Sequence, residues 1–147
     1  MSTNTEIEKK PSIAVVGSGS WATALAKVLH ETQDSIGWCL RDPELIGYIK
    51  KYRHNPNYLS AVEFDVKKLY LSVDINEVAK LYDILLFVIP STYFQAWLEP
   101  LSVSLEGKFI ISAIKGIVPG MDCTIAEFFN QQYGVPFDRI GIISGPT

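Results

Sequence analysis

The chain has 147 residues, of which 48% are hydrophobic and 20% charged, so it can bury one core of the size usual for a single domain. Its formal net charge of -3 excludes a general attraction for nucleic acid or an anionic membrane, so any anion must be captured by a local arrangement. Residues 1–11 lack the apolar core of a signal peptide, and no apolar run approaches the roughly 20 residues that span a bilayer. We expect a cytoplasmic protein with no membrane insertion, and residues 1–11 as a mobile polar tail.

The first half of the chain alternates strand and helix signals. Residues 12–16 are rich in β-branched side chains and end at a glycine, which predicts a strand, and residues 20–31 predict a helix that packs on a sheet. Residues 35–40 predict a second strand, and Asp42 followed by proline predicts the start of a second helix. Residues 53–62 contain two asparagines and a proline and predict a loop.

The next two units repeat the pattern. Residues 69–73 predict a brief strand, and Asp74 with Glu77 predicts a helix start. Residues 84–89 are apolar without alternation, which is typical of a strand buried on both faces of a parallel sheet. Pro90 and the serine after it end this strand and open a helix that we expect to carry Phe94, Trp97, Leu98 and Leu101.

The last unit completes the pattern of elements that predicts the fold class. Residues 109–114 predict a strand, Thr124 with Glu127 predicts a capping box, Gly134 predicts the end of that helix, and residues 140–143 predict a final strand. Strands that alternate with helices in this way are typical of right-handed crossovers. The sequence therefore predicts an α/β fold with a Rossmann-type, doubly wound parallel sheet and one domain over residues 12–147.

Two cysteines and two histidines suggest no catalytic or metal site. Cys39 and Cys123 are far apart and have no metal-ligand spacing, so we expect two reduced thiols. His30 and His54 have no neighbouring carboxylate or cysteine that would indicate a metal site or a catalytic triad. We predict no metal.

A glycine-rich turn is the first candidate site. The segment GSGSWA at residues 17–22 matches the G-x-G-x-x-G/A dinucleotide fingerprint, and it lies between the first predicted strand and the first predicted helix. Gly17 permits the tight turn, Gly19 lets the backbone approach a pyrophosphate, and Ala22 lets helix and strand pack closely. The free N–H groups of the helix start then face the anion.

Further candidates follow the other strands, because ligands of open α/β sheets lie beyond the carboxyl ends of the strands. The second strand should end near the adenosine ribose of a bound dinucleotide, and Arg41 follows that strand, free to face a 2′-phosphate. This placement favours NADP(H) as the cofactor and leaves NAD(H) possible. The alternative is that Arg41 is a solvated arginine on a loop. Lys115 can offer donors to an oxyanion, although wet strand ends also carry lysines. Pro90 and Tyr93 are candidate cofactor contacts with packing roles as the alternative, and the same holds for Trp21.

Five ordered motifs together resemble a known family. GSGSWATALAKVL, HNPNYL, FVIPS, AIKGI and ISGPT occur in the order and approximate spacing of bacterial NAD(P)-dependent glycerol-3-phosphate dehydrogenases. This resemblance implies a cytosolic enzyme that interconverts dihydroxyacetone phosphate and glycerol 3-phosphate, usually toward phospholipid synthesis. It implies that Ser20, Trp21 and Arg41 contact the dinucleotide and that Lys115 touches both cofactor and substrate. Gly145 and Thr147 match substrate-binding positions.

The resemblance also implies a part that is absent from this chain. Members of the family continue into a helical C-terminal domain that supplies the general acid/base lysine and most contacts to the substrate phosphate. We therefore expect no catalytic residue of that kind here, and a chain that binds cofactor without turnover. A homo-oligomer is possible. The alternatives are a non-catalytic NADP(H)-binding sensor module, or another two-domain reductase of the hydroxyacid or ketopantoate type.

Overall fold

The computed structural model describes residues 11–59, 61–114 and 117–143. The strands within these ranges are β1 (Ile13–Val16), β2 (Ile36–Cys39), β3 (Leu69–Ser72), β4 (Ile84–Phe87), β5 (Phe109–Ser112), β6 (Ile117–Val118), β7 (Cys123–Thr124) and β8 (Ile140–Ile142). The α-helices are α1 (Ser20–Thr32), α2 (Pro43–Tyr52), α3 (Ile75–Leu81), α4 (Phe94–Leu98) and α5 (Ile125–Tyr133). Short 3-10 turns precede β3, α4 and β8.

Six of these strands form one parallel sheet in the order β3-β2-β1-β4-β5-β8. The register aligns the ends of the central strands, because Val16 lies opposite Cys39 of β2 and opposite Phe87 of β4. The chain runs outward from β1 to β3 and then returns to β4, so the strand order reverses between β1 and β4. This is the Rossmann-type arrangement that the sequence predicts, and a crevice opens at the reversal.

Helices cover both faces of the sheet. The side chain of Val15 packs with Ala22 and Ala26 of α1 and with α2 on one face. Its neighbours Ala14 and Val16 pack on the other face with α3, α4 and α5. This alternation buries β1 on both sides, which explains why the central strands read as uninterrupted apolar runs.

Local capping rules hold where the sequence predicts them. The Asp42 carboxylate accepts from the N–H of Glu44, and the Asp74 carboxylate accepts from the N–H groups of Asn76 and Glu77. Thr124 and Glu127 form the complete capping box of α5. Gly134 ends α5 in the left-handed region, at a φ of 68°.

Three expectations need correction. The strands predicted to reach residues 89 and 114 end earlier, at Phe87 and Ser112. In the second case the Ser112 hydroxyl accepts from the N–H of Ile114 and so replaces ladder pairing with a local turn. The helix after Pro90 begins as a 3-10 turn, and α4 ends before Leu101. The sequence does not predict the antiparallel β6–β7 pair, because strands of two residues carry no periodicity.

Candidate functional site

A cleft of about 200 Å³ opens where β1, β4 and β5 end, at the reversal of the strand order. Its lining comes from the start of α1 and from the segments that follow β4 and β5: Gly19, Ser20, Trp21, Ala22, Val88, Ile89, Pro90 and Ala113. None of these side chains is charged. Among the described residues, the groups that this cleft offers to an anion are therefore backbone dipoles.

Gly17 is required by the fold itself. Its φ is +138°, a region that side chains of L-residues rarely adopt, and a Cβ at this position would overlap the carbonyl oxygen of Val88. The same Cβ would lie 3.4 Å from the Cβ of Ala22. Glycine at this position therefore lets α1 and the residues after β4 lie closer together than a residue with a side chain would allow.

Gly19 shows the opposite situation. Its φ is -78°, which any residue can adopt, and a Cβ there would meet no atom of the described chain within 4 Å. It is the N-cap of α1, no side chain caps this helix start, and the first turn holds no acidic residue. The free N–H groups and the open space above them form a site for an anion that approaches the backbone closely.

Trp21 combines packing with an unused polar atom. The side chain is half-buried and packs against the core on the α1 side of the sheet, so the packing role that sequence reasoning kept open is present. Its indole Nε1 is buried and has no hydrogen-bond partner within the described residues. An indole N–H seldom stays buried without an acceptor. Trp21 also lines the cleft beside Pro90, so this unused donor belongs to a side chain that borders the candidate site.

Arg41 lies in a second, smaller pocket of about 110 Å³ beyond the end of β2. Its guanidinium carbon is 5.4 Å from the ring centroid of Trp97, a cation–π distance. The pocket also includes Cys39, Val73 and Pro100. Arg41 as a whole is exposed, and the contact with Trp97 restricts where its guanidinium group lies. Sequence reasoning predicted Arg41 but missed Trp97, which gave no signal beyond its place in an apolar helix.

The other predicted site residues divide into two groups. Pro90 lines the cleft, whereas Tyr93 is largely exposed and is not part of the lining. Lys115, Gly145 and Thr147 lie outside the described residues. The cleft therefore unites Gly19, Ser20, Trp21 and Pro90 of the predicted set, with Gly17 directly behind them.

Several buried titratable groups belong to the framework. Burial raises the pKa of the Cys39 thiol to about 12, so this cysteine stays protonated and is no nucleophile. Both cysteines are free thiols, as predicted. Within the described ranges, no three histidine, cysteine or carboxylate side chains come together as metal ligands, and no helix has the length and apolarity to cross a membrane.

His30 is a buried residue of α1, and its Nε2 accepts from the N–H of Asp65 at 2.7 Å. Burial lowers the pKa of His30 below its usual range, and Lys27 and Lys68 lower it further, while Glu31 and Asp65 act in the opposite direction. The imidazole is therefore neutral at pH 7 and serves as an acceptor in the framework. His30 is not among the residues that line the cleft.

Comparison with solved structures supports the fold. Glycerol-3-phosphate dehydrogenase from Saccharomyces cerevisiae matches 95% of this chain and 43% of its own length, with a TM-score of 0.76 and 22% identity. The enzyme of the same name from Coxiella burnetii matches 90% of this chain and 39% of its own length, with a TM-score of 0.66 and 22% identity. At these identities the likeness establishes the fold alone.

Curated sequences are more similar. Proteins named glycerol-3-phosphate dehydrogenase [NAD(P)+] are 33% identical in Azotobacter vinelandii and 34% identical in Latilactobacillus sakei, covering 96% and 92% of this chain. The chain spans only 40% and 41% of the length of these two relatives. The family model described as NAD-dependent glycerol-3-phosphate dehydrogenase N-terminus matches residues 12–147. The chain therefore belongs to this family of dehydrogenase N-terminal domains.

Proposed function

We propose that residues 12–147 form the dinucleotide-binding domain of an enzyme that interconverts dihydroxyacetone phosphate and sn-glycerol 3-phosphate with NAD(P)H. The observation that carries the proposal is the pair of glycines at the start of α1. Gly17 is demanded by the packing of the turn, whereas the space above Gly19 is open and faces free N–H groups. A pyrophosphate needs both properties.

The cofactor's two ends correspond to the two pockets. Trp21 and Pro90 line the cleft that would take the nicotinamide side of the pyrophosphate. Arg41 is exposed beyond β2, where the adenosine ribose would lie, and its guanidinium group would bind a 2′-phosphate. This arrangement favours NADP(H) and still admits NAD(H).

The bound nicotinamide would supply the hydride for the triose carbonyl. The chain's own part is to hold that ring and, through Lys115, to place a cation near the negative charge that develops on the carbonyl oxygen. Gly145 and Thr147 are proposed as contacts of the triose phosphate. Orientation of the triose and general acid catalysis would come from a helical C-terminal domain, the proposed partner of this one.

The proposed setting follows from the proposed reaction. The substrates are small phosphorylated trioses, and the product glycerol 3-phosphate would feed glycerophospholipid synthesis. We place the protein in the cytoplasm, where these metabolites and NAD(P)H occur together. The surface that a C-terminal domain would cover could also mediate homo-oligomer formation, which size-exclusion chromatography would detect.

Cofactor binding is the direct test. The chain is titrated with NADPH and NADH while the nicotinamide emission excited by energy transfer from tryptophan is recorded. We expect saturable binding of both cofactors and tighter binding of NADPH. With dihydroxyacetone phosphate added, the absorbance of the reduced nicotinamide should stay constant. Lack of saturable binding, or turnover near that of the longer relatives, would contradict the proposal.

The role of Arg41 is tested with a charge reversal. Arg41→Asp should weaken NADPH binding by at least about tenfold and leave NADH binding nearly unchanged, because only NADPH loses a charge-assisted pair. Arg53→Asp is the matched control, since Arg53 is also an exposed arginine but lines a different groove. Equal weakening of both cofactors by Arg41→Asp would mean that Arg41 does not bind the 2′-phosphate.

A further inference from the structure

Three consecutive carbonyl groups of the glycine turn accept hydrogen bonds from side chains behind it. The indole Nε1 of Trp38 donates to the carbonyl of Gly17 at 2.7 Å. The amide Nδ2 of Asn55 donates to the carbonyl of Ser18 at 3.3 Å. The hydroxyl of Thr23 donates to the carbonyl of Gly19 at 2.7 Å.

The three donors are buried, and two of them are joined by a hydrogen bond. Trp38, Asn55 and Thr23 have no solvent exposure, and Nδ2 of Asn55 also donates to the Thr23 hydroxyl at 3.0 Å. The side-chain oxygen of Asn55 accepts from the N–H of Asn57 at 2.9 Å, which fixes the orientation of the amide. In a buried network of this kind each partner is costly to remove, because the group left behind cannot turn to water.

Peptide geometry converts inward carbonyls into outward N–H groups. In a planar trans peptide the carbonyl of one residue points opposite to the N–H of the next. When the carbonyls of residues 17 to 19 point toward the core, the N–H groups of Ser18, Gly19 and Ser20 point away from it. Within the described part of the chain, none of these three N–H groups has a hydrogen-bond partner outside α1.

We propose that Trp38, Asn55 and Thr23 act as a carbonyl clamp that holds three successive N–H groups of the glycine turn ready for the diphosphate of the cofactor. The proposal rests on the proposed function for the identity of the ligand. The three residues are positioning residues, since they act through the backbone and do not touch the ligand. The clamp also gives the HNPNYL motif a function, because its first asparagine supplies the central donor.

The competing explanation is that these residues only stabilise the fold. In that case Gly17 alone would fix the turn, and removing a clamp donor would lower global stability without changing the turn. The clamp makes two further predictions. Loss of a donor should open the turn locally in the ligand-free chain, and it should weaken NADH and NADPH equally, because both carry the same diphosphate.

The variants are Asn55→Ala and Thr23→Val, each of which removes a donor. Asn57→Ala is the matched control for the first, since the Asn57 side chain is exposed and makes no hydrogen bond within the described residues. Thr23→Ser is the control for the second, because it retains the hydroxyl. Two variants at different sites keep the test decisive if one of them fails to fold.

Three measurements are made on each folded variant. Hydrogen exchange of the Thr23 amide, which donates to the Gly19 carbonyl at 2.9 Å, reports opening of the turn. NMR titration with inorganic pyrophosphate reports anion binding at Ser18, Gly19 and Ser20. Urea unfolding gives the global stability. Asn55→Ala and Thr23→Val should speed exchange of the residue 23 amide, relative to the intrinsic rate of the residue present there, by about tenfold beyond any change in β1 and β4 amides. Both variants should weaken pyrophosphate and both cofactors by about 5- to 10-fold.

The outcomes separate the two proposals. If Asn55→Ala and Thr23→Val lower only global stability and leave Thr23 exchange and pyrophosphate binding as in the wild type, the clamp is refuted. It is also refuted if the wild-type turn does not bind pyrophosphate. If the wild type binds pyrophosphate in a clamp-dependent way but binds neither NADPH nor NADH, the clamp stands and the proposed function fails.

Discussion

Replacing Gly17 by alanine should destabilise the chain strongly. At a φ of +138° an alanine is strained by about 1–3 kcal/mol, and its Cβ would overlap the Val88 carbonyl oxygen, a rigid backbone atom. Relief of that overlap must separate β1 from the β4 segment, which costs about another 1–3 kcal/mol. The sum, roughly 2–6 kcal/mol, is a large part of the 5–15 kcal/mol typical of a folded domain.

Gly19→Ala is the internal comparison, because both glycines belong to one fingerprint. A Cβ at Gly19 meets nothing within 4 Å, and its φ of -78° suits alanine. We expect Gly19→Ala to change stability by less than about 1 kcal/mol, because the gain through the unfolded state is opposed by the poorer N-capping of alanine. The same Cβ would occupy the space proposed for the pyrophosphate, so affinity for NADH and NADPH should fall.

Urea unfolding followed by tryptophan fluorescence measures the difference. With a typical slope of about 2 kcal/mol per molar urea, Gly17→Ala should lower the midpoint by about 1–3 M, while Gly19→Ala should move it by less than about 0.5 M. Cofactor titration of the same samples then completes the comparison. Equal midpoints for Gly17→Ala and the wild type would refute this reasoning, as would a loss of stability in Gly19→Ala as large as that in Gly17→Ala.

Two further predictions concern buried groups of the framework. Because the folded state lowers the pKa of His30, the stability that depends on its neutral form is present above about pH 6.5 and declines as the pH falls toward the folded-state pKa. His30→Gln keeps an acceptor and should reduce this decline in urea unfolding measured across pH 7 to 5; an unchanged pH dependence would contradict the assignment. In a Cys123→Ser background, the Cys39 thiol should react with a disulfide reagent only after unfolding, because burial raises its pKa to about 12; rapid reaction of the native chain would disprove its burial.

The features that the sequence predicted correctly rest on local rules. The capping box of Thr124 and Glu127, the end of α5 at Gly134 and the N-cap at Asp42 each depend on residues within four positions of one another. The order of strands and helices follows from periodicity, and the handedness of crossovers then restricts the topology. The glycine fingerprint is local as well, so residues 17–22 alone suffice to locate the start of α1.

The parts that sequence reasoning missed depend on contacts between distant segments. Trp97 joins Arg41 only because the turn after β2 and α4 reach the same edge of the sheet. Asn55 is 37 residues from Ser18, and no pattern in either segment announces their hydrogen bond. The residues around Asn55 predict a loop, and its complete burial shows that this asparagine belongs to the interior of the site.

An acidic chain that binds a diphosphate through backbone N–H groups should show a specific response to salt. The lining of the cleft holds no charged side chain among the described residues, whereas Arg41 is exposed in its own pocket. Fixed dipoles at close range are little affected by ions, but an exposed ion pair is screened as the Debye length falls from about 10 Å at 0.1 M to about 3 Å at 1 M. NADH affinity should therefore change little with added sodium chloride, while the preference for NADPH should shrink toward that of Arg41→Asp. If NADH affinity fell as steeply as NADPH affinity, cationic side chains and not the glycine turn would hold the diphosphate.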